Sequence, residues 1–257
     1  MSRRQHHRQS AVPREKWPSL SPELFIPRFT HKDLNYHVVK IGGSLLERDD
    51  WPQRIAAWID ARPPQYFLFV FGGGTLVEKL REIDRRAAYP AEAMHQAAIA
   101  AMDINAGLAL SRCEMLQTTL STWNEFCEAI RSSRDISFDL EASLLFTVQA
   151  AEWLDALYDS PDRRGLEFPP ASWDVTSDSL AAWFALILSA GELTLCKSCL
   201  PPPSEAGDEL PSWSRGGYVD PLFYRWGIGT PLVRVLNLAD PELPEAIVRH
   251  ELPHQST

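Results

Sequence analysis

The chain has 257 residues, 45% of them hydrophobic, which is enough for the core of one large domain or two small ones without disulfide staples. A formal net charge of -9 excludes a protein whose affinity comes from neutralising nucleic-acid phosphates. The longest apolar run, residues 180–188, is about half of the roughly 18 residues that a membrane-spanning helix requires, so no membrane partner is expected. Four cysteines without an apolar leader segment predict a reducing, cytoplasmic setting.

Residues 1–34 carry Arg3, Arg4, Arg8, Arg14 and Lys16 among Pro13, Pro18, Pro22 and Pro27. This composition predicts a flexible basic arm; such an arm can bind nucleic acid or target an organelle, but on an acidic protein it reads first as solvated or wrapped on a subunit, with residues 35–257 forming a single domain. The pattern then becomes strand, loop, helix, repeated. An apolar run at residues 37–41 ends in Gly42-Gly43-Ser44, and helical spacing follows over residues 51–61. Residues 66–71 (YFLFVF) are apolar on both faces, as a buried parallel strand requires, and run into Gly72-Gly73-Gly74 and a helix over residues 76–86. A long Ala- and Met-rich helix is predicted over residues 91–111, covered on most of its circumference and placed at a subunit interface. A strand at 144–150, a helix at 152–158, a wholly apolar helix at 179–190 and a strand at 193–197 continue the alternation. Residues 201–211 read as a Pro-rich surface excursion, and residues 232–238 as the last strand. The fold class is therefore α/β, with helices on both faces of a mostly parallel sheet.

Glycines directly after buried parallel strands lie at the carboxyl edge of the sheet, where backbone N–H groups are free to bind anions. Two such loops, Gly42-Gly43-Ser44 and Gly72-Gly73-Gly74-Thr75, predict a cradle able to surround a chain of phosphates from two sides. The chain has only five lysines, and two of them, Lys40 and Lys197, end strands at that same edge. A lysine in a buried strand is costly unless it meets an anion, so these ammonium groups are candidates for stabilising a transferring phosphoryl group. Asp178, at the start of the apolar helix, has two possible tasks. One of Thr176, Ser177 and Asp178 caps the helix, and a carboxylate between two lysines holds both charged and fixes their direction. Neither a Walker loop nor a G-x-G-x-x-G is present, and Phe71-Gly72-Gly73-Gly74 is not followed by the G-x-S-x-G of a hydrolase. Cys196 and Cys199 form a C-x-x-C without a second pair, so zinc is not expected. His95 and Asp103 on the long helix could meet a ligand, but read first as a structural polar pair.

These pieces, namely residues 39–45, 71–74, 176–182 and 195–197, resemble in order the amino-acid kinase superfamily of acetylglutamate, aspartate, carbamate and uridylate kinases. Within it, residues 175–179, Ala101-Met102-Asp103 and residues 217–223 look most like the aminomethylfuran phosphate kinases of methanofuran biosynthesis. The resemblance implies a three-layer α/β/α sandwich and an ATP-dependent small-molecule kinase. In it Lys40 and Lys197 stabilise the phosphoryl in flight, Asp178 orients them, Gly42, Gly43 and Ser44 contact the ATP phosphates, and Gly72, Gly73 and Gly74 hold the acceptor. Magnesium is held chiefly by the phosphates, and the protein is a homo-oligomer. The acceptor implied is a phosphate monoester, aminomethylfuran phosphate, which needs no general base. The alternatives are a carboxylate or nucleotide acceptor, or a non-catalytic nucleotide- or anion-binding assembly protein. One departure is clear: after Lys197 the family often carries an Asp-Gly turn, and here Ser198-Cys199-Leu200-Pro201 follows.

Overall fold

The computed structural model describes residues 36–116, 120–134, 143–163, 165–205 and 209–249. The basic segment 1–34 lies outside them. Strands β1 (Tyr36–Ile41) and β2 (Tyr66–Phe71) are buried along their whole length and pair in parallel, Tyr36 opposite Tyr66. Their continuous apolar sequences follow from burial on both faces. Between them lies α1 (Trp51–Asp60), and after β2 come α2 (Gly74–Ala87) and α3 (Ala91–Arg112). The chain continues through β3 (Leu120–Ser121), α4 (Trp123–Arg134), β4 (Leu144–Val148), α5 (Ala150–Tyr158), α6 (Ser177–Ile187), β5 (Glu192–Lys197), α7 (Glu209–Arg215), α8 (Phe223–Gly227), β6 (Leu232–Asn237) and β7 (Glu245–Arg249). The strands form one seven-stranded sheet in the order β3-β4-β2-β1-β5-β6-β7, parallel except for β7.

Alternation along the strands divides the core in two. Tyr36 and Val38 of β1, Leu68 and Val70 of β2, and Leu193 and Leu195 of β5 face one cluster, built with α3, α5 and α6. Val39 and Ile41, Phe67, Phe69 and Phe71, and Cys196 face the other, closed by Trp51, Ile55 and Trp58 of α1. All eleven residues of α6 are buried, because the helix is sandwiched between the sheet and α8. That position accounts for its lack of a polar face.

Three expectations need correction. The 232–238 segment is not the last strand: β7 follows and pairs antiparallel with β6 at the sheet edge, burying only Val248. The run 201–211 is not wholly a surface excursion, since α7 begins within it and buries Leu210 and Trp213. Pro211 is tolerated because it stands in the first turn, where a backbone N–H has no helical partner. Finally, β3, α4 and α8 were not anticipated. Two of them are too short for periodicity to register, at two and five residues. Among the described residues no helix is long and apolar enough to cross a membrane.

Candidate active site

Both scarce lysines stand on one face of the sheet. β1 and β5 are adjacent and parallel with Lys40 opposite Leu195, so Lys197, two residues beyond Leu195, projects to the same side as Lys40. The N-terminus of α6 lies over that side. Asp178, in its first turn, is bridged by both amines, with Lys40 Nζ 2.8 Å from Oδ1 and Lys197 Nζ 2.6 Å from Oδ2. Lys197 also donates to the Tyr218 carbonyl at 2.9 Å and lies 5.1 Å from the centre of the Tyr218 ring. Burial opposes ionisation of Asp178, but the charges of Lys197 and then Lys40 prevail and hold its carboxyl at about 2. Burial lowers the pKa of Lys197, and Asp178 resists that shift. One carboxylate thus faces two ammonium groups.

The two glycine loops touch. Gly42 N–H donates to the Cys196 carbonyl and Gly72 N–H to the Ile41 carbonyl, which ties the ends of β1, β2 and β5 together. A Cβ on Gly43 would lie 2.2 Å from the Gly74 nitrogen and 2.5 Å from the Gly72 oxygen, and Gly74 has φ +53°. Only glycine permits this approach. Asn105 of α3 holds the second loop by donating to the Gly72 carbonyl at 2.6 Å. Above the loops is a cavity of about 380 Å³ lined by Lys40, Lys197, Gly42, Gly43, Ser44, Gly72, Gly73 and Gly74, so nearly all the predicted site residues share one space. Asp178 stands behind the lysines. The place is the carboxyl edge of the sheet at its centre, where β1 has β2 as neighbour on one side and β5 on the other.

Several participants were not legible in the sequence. Asp220, expected only as part of a family motif, caps α6 from outside: it accepts from Thr176 N–H (3.1 Å), Thr176 Oγ1 (2.8 Å), Ser179 N–H (2.9 Å) and the Ser179 hydroxyl. Thr176 is the N-cap residue, one of the three expected there, but its hydroxyl donates to Asp220 and makes no capping bond of its own. Burial, and then the neighbouring Asp178 charge, raise the pKa of Asp220. Arg81 of α2 lines the cavity, with its guanidinium 5.1 Å from the centre of the Trp173 ring, and its Nε is buried without a hydrogen-bond partner among the described residues. Trp173 is in turn pinned to α2 by donating to Asp84 Oδ2 at 2.8 Å. The spacing of Arg81, seven residues past Gly74 on an exposed-looking helix, carried the only available signal. His95 and Asp103 are not a pair. Asp103 accepts from the Ala150 and Ala151 N–H groups at 2.6 and 3.1 Å and so caps α5, while His95 lines the cavity, its pKa lowered by burial.

No protein-family model matches the chain, and no curated protein matches it. Solved structures do. UMP kinase from Ureaplasma parvum superposes with a TM-score of 0.55 at 14% identity, over 84% of this chain and 99% of that one. Aspartate kinase from Synechocystis gives 0.52 at 12% identity, over 84% of this chain and 40% of the longer enzyme. The architecture is the amino-acid-kinase fold, as the ordered motifs led us to expect.

Proposed function

We propose that the protein is an ATP-dependent small-molecule kinase that transfers the γ-phosphoryl group to a phosphate monoester. The observation that carries this reading is the charge imbalance at Asp178. Two buried ammonium groups share one carboxylate, with side chains only 7% and 16% exposed for Lys40 and Lys197. Two ammonium groups against one carboxylate beside a cavity call for an anion, and the backbone of Gly43, Ser44, Gly73 and Gly74 borders the same space.

In this reading the triphosphate lies along Gly42, Gly43 and Ser44, and the acceptor lies at Gly72, Gly73 and Gly74 with Arg81 beside it. An acceptor phosphate oxygen forms a bond to the γ-phosphorus while the bond to the β,γ-bridging oxygen breaks, leaving ADP and a diphosphate. Lys40 and Lys197 stabilise the charge that moves onto the bridging and equatorial oxygens, and Asp178 keeps both amines charged and aimed. The acceptor dianion is already a nucleophile, so no base is needed. Among the described residues no group of three acidic, histidine or cysteine side chains is placed to chelate a metal. We assign magnesium to the phosphates of ATP, where it would supply charge neutralisation.

For the acceptor we propose aminomethylfuran phosphate, supported by the motif resemblance at residues 175–179 and 217–223. We also propose a homo-oligomer joined at α3. Purified protein with Mg-ATP should release ADP when given aminomethylfuran phosphate and not when given glutamate, aspartate or UMP. Turnover of a carboxylate or of UMP alone refutes the furan acceptor. Absence of ADP release with every acceptor, with ATP bound, favours the non-catalytic assembly protein.

A further inference from the structure

Lys197 is held by more than Asp178. An ammonium group has three N–H donors, and two of those on Lys197 are committed, one to Asp178 Oδ2 at 2.6 Å and one to the Tyr218 carbonyl at 2.9 Å. The same nitrogen lies over the Tyr218 ring, 5.1 Å from its centre. Two fixed bonds stop rotation about the terminal C–N bond, so the third N–H has one set direction. It is the donor left for a ligand in the cavity that Lys197 lines. Lys40 differs, since among the described residues its ammonium has Asp178 alone as partner.

The segment carrying Tyr218 joins α7 to α8 and is fixed at several points. Gly217, at φ +73°, takes the left-handed turn that ends α7, and the Tyr218 N–H then donates to the Trp213 carbonyl at 2.9 Å. The ring meets that of Trp213 edge to face at 5.9 Å. The hydroxyl donates to the Cys199 carbonyl at 2.6 Å, two residues past Lys197. We propose that Tyr218 is the positioning residue of Lys197: its carbonyl aims the ammonium, its ring favours the charged form, and its hydroxyl ties the ring to the exit of β5. The inference rests on the phosphoryl-transfer reading and adds to it what keeps one of the two cations aimed and charged. Burial lowers the pKa of Lys197; Asp178 opposes that shift, Lys40 adds to it, and Asp220 opposes it in turn. A second carboxylate on Lys197 would hold its proton but cancel the positive charge that attracts a triphosphate. A carbonyl oxygen and a π face hold the proton and leave that charge in place.

The test uses the full chain labelled with 13C at lysine Cε, where the chain has only five lysines and Lys197 is assigned by the signal lost in Lys197→Met. Tyr218→Leu and Tyr218→Met remove the ring and keep an apolar side chain against Trp213; Tyr218→Phe keeps the ring. Titration by NMR should place the Lys197 midpoint about one pH unit lower in the two ringless variants, a tenfold loss of proton affinity, and within about 0.3 of a unit of the wild type in Tyr218→Phe. With Mg-ATP and aminomethylfuran phosphate, kcat should fall about thirtyfold without the ring and recover to within about fivefold of wild type in Tyr218→Phe, while KM for ATP changes by less than about threefold. The alkaline limb of kcat should move down with the midpoint, and melting curves identify a ringless variant that folds. Equal titration of Lys197 in the wild type and the ringless variants, an equal shift in Tyr218→Phe, or unchanged kcat in all three overturns the inference. A lowered midpoint in a chain whose wild type releases no ADP with any acceptor leaves Lys197 held by Tyr218 and removes the kinase reading.

Discussion

Lys40, Lys197 and Asp178 are unequal in what their removal should do. Lys40→Ala leaves Asp178 paired with Lys197, so the fold should survive while kcat falls by about 10²- to 10³-fold, the scale of losing one transition-state donor; steady-state kinetics beside a melting curve separates the two effects, and unchanged turnover removes Lys40 from the mechanism. Asp178→Ala strands two buried ammonium groups, and urea unfolding should show a loss of about 3–5 kcal/mol together with the activity. A different chemistry operates at the start of β1. His37 is wholly buried, its Nε2 2.8 Å from Thr194 Oγ1 and its ring against Trp58 and Phe67. Burial above all, with Arg62 and Arg234 adding to it against Glu192, lowers its pKa to about 4. The unfolded chain therefore takes up this proton first, near the ordinary value of 6.5, so the contribution of neutral His37 is complete above that pH and is lost as pH falls toward 4. The loss is on the order of 3 kcal/mol. Denaturant midpoints measured from pH 7 to 4 should fall in the wild type and flatten in His37→Phe; equal slopes assign the acid sensitivity to other groups.

At the level of elements, the site is built from strand ends and helix starts, and the degree to which each was legible follows from its locality. The parity of Lys40 and Lys197 could be read from sequence because each strand announces itself by an apolar run ending at a known edge. The contact of the glycine loops could also be anticipated, since both loops leave that edge from sequential strands. Gly43→Ala should show how tight it is: the new methyl must displace the Gly74 backbone, which no side-chain rotation can relieve. We expect a large loss of ATP affinity by calorimetry with the strands retained by circular dichroism; unaltered affinity would mean that the loops can part at no cost to the nucleotide. Asp220 illustrates what was not legible. It caps α6 from about forty residues downstream, and nothing in local pattern links it to Thr176 or Ser179. An acceptor serving several buried donors is worth more than an ordinary cap, so Asp220→Ala should lower unfolding free energy by roughly 2 kcal/mol or more. Because Asp178 sits in the turn that Asp220 secures, kcat should fall as well. A normal kcat in a destabilised variant would show that Asp178 keeps its place without the cap. Of the elements missed by pattern, β3, α8 and β7 are short or edge elements with too little periodicity of their own to register, whereas α4 is twelve residues long and was missed despite its length.

For the whole molecule, the sheet order separates a catalytic edge from a face that the described chain leaves open. One side of α3 carries Asn105 toward the glycine loop and Met94, Ile99 and Met102 into buried positions. The other side shows Ala93, Ala100, Ile104, Gly107 and Leu108 to the outside, a charge-free stripe in which Ile104 and Leu108 are each 56% exposed and a Cβ on Gly107 would meet nothing. Leu76 of α2 extends it. An apolar helical face of this kind can meet its own copy across a twofold axis, which is the cover proposed above for it. Ile104→Glu/Leu108→Glu places like charges on both sides of such an axis without touching the residues that hold the glycine loop. Sedimentation equilibrium should then give a single species near the chain mass of 29.0 kDa for the variant and a multiple of it for the wild type. A wild type that already sediments at the single-chain mass removes the oligomer, and a variant that remains assembled moves the interface off α3.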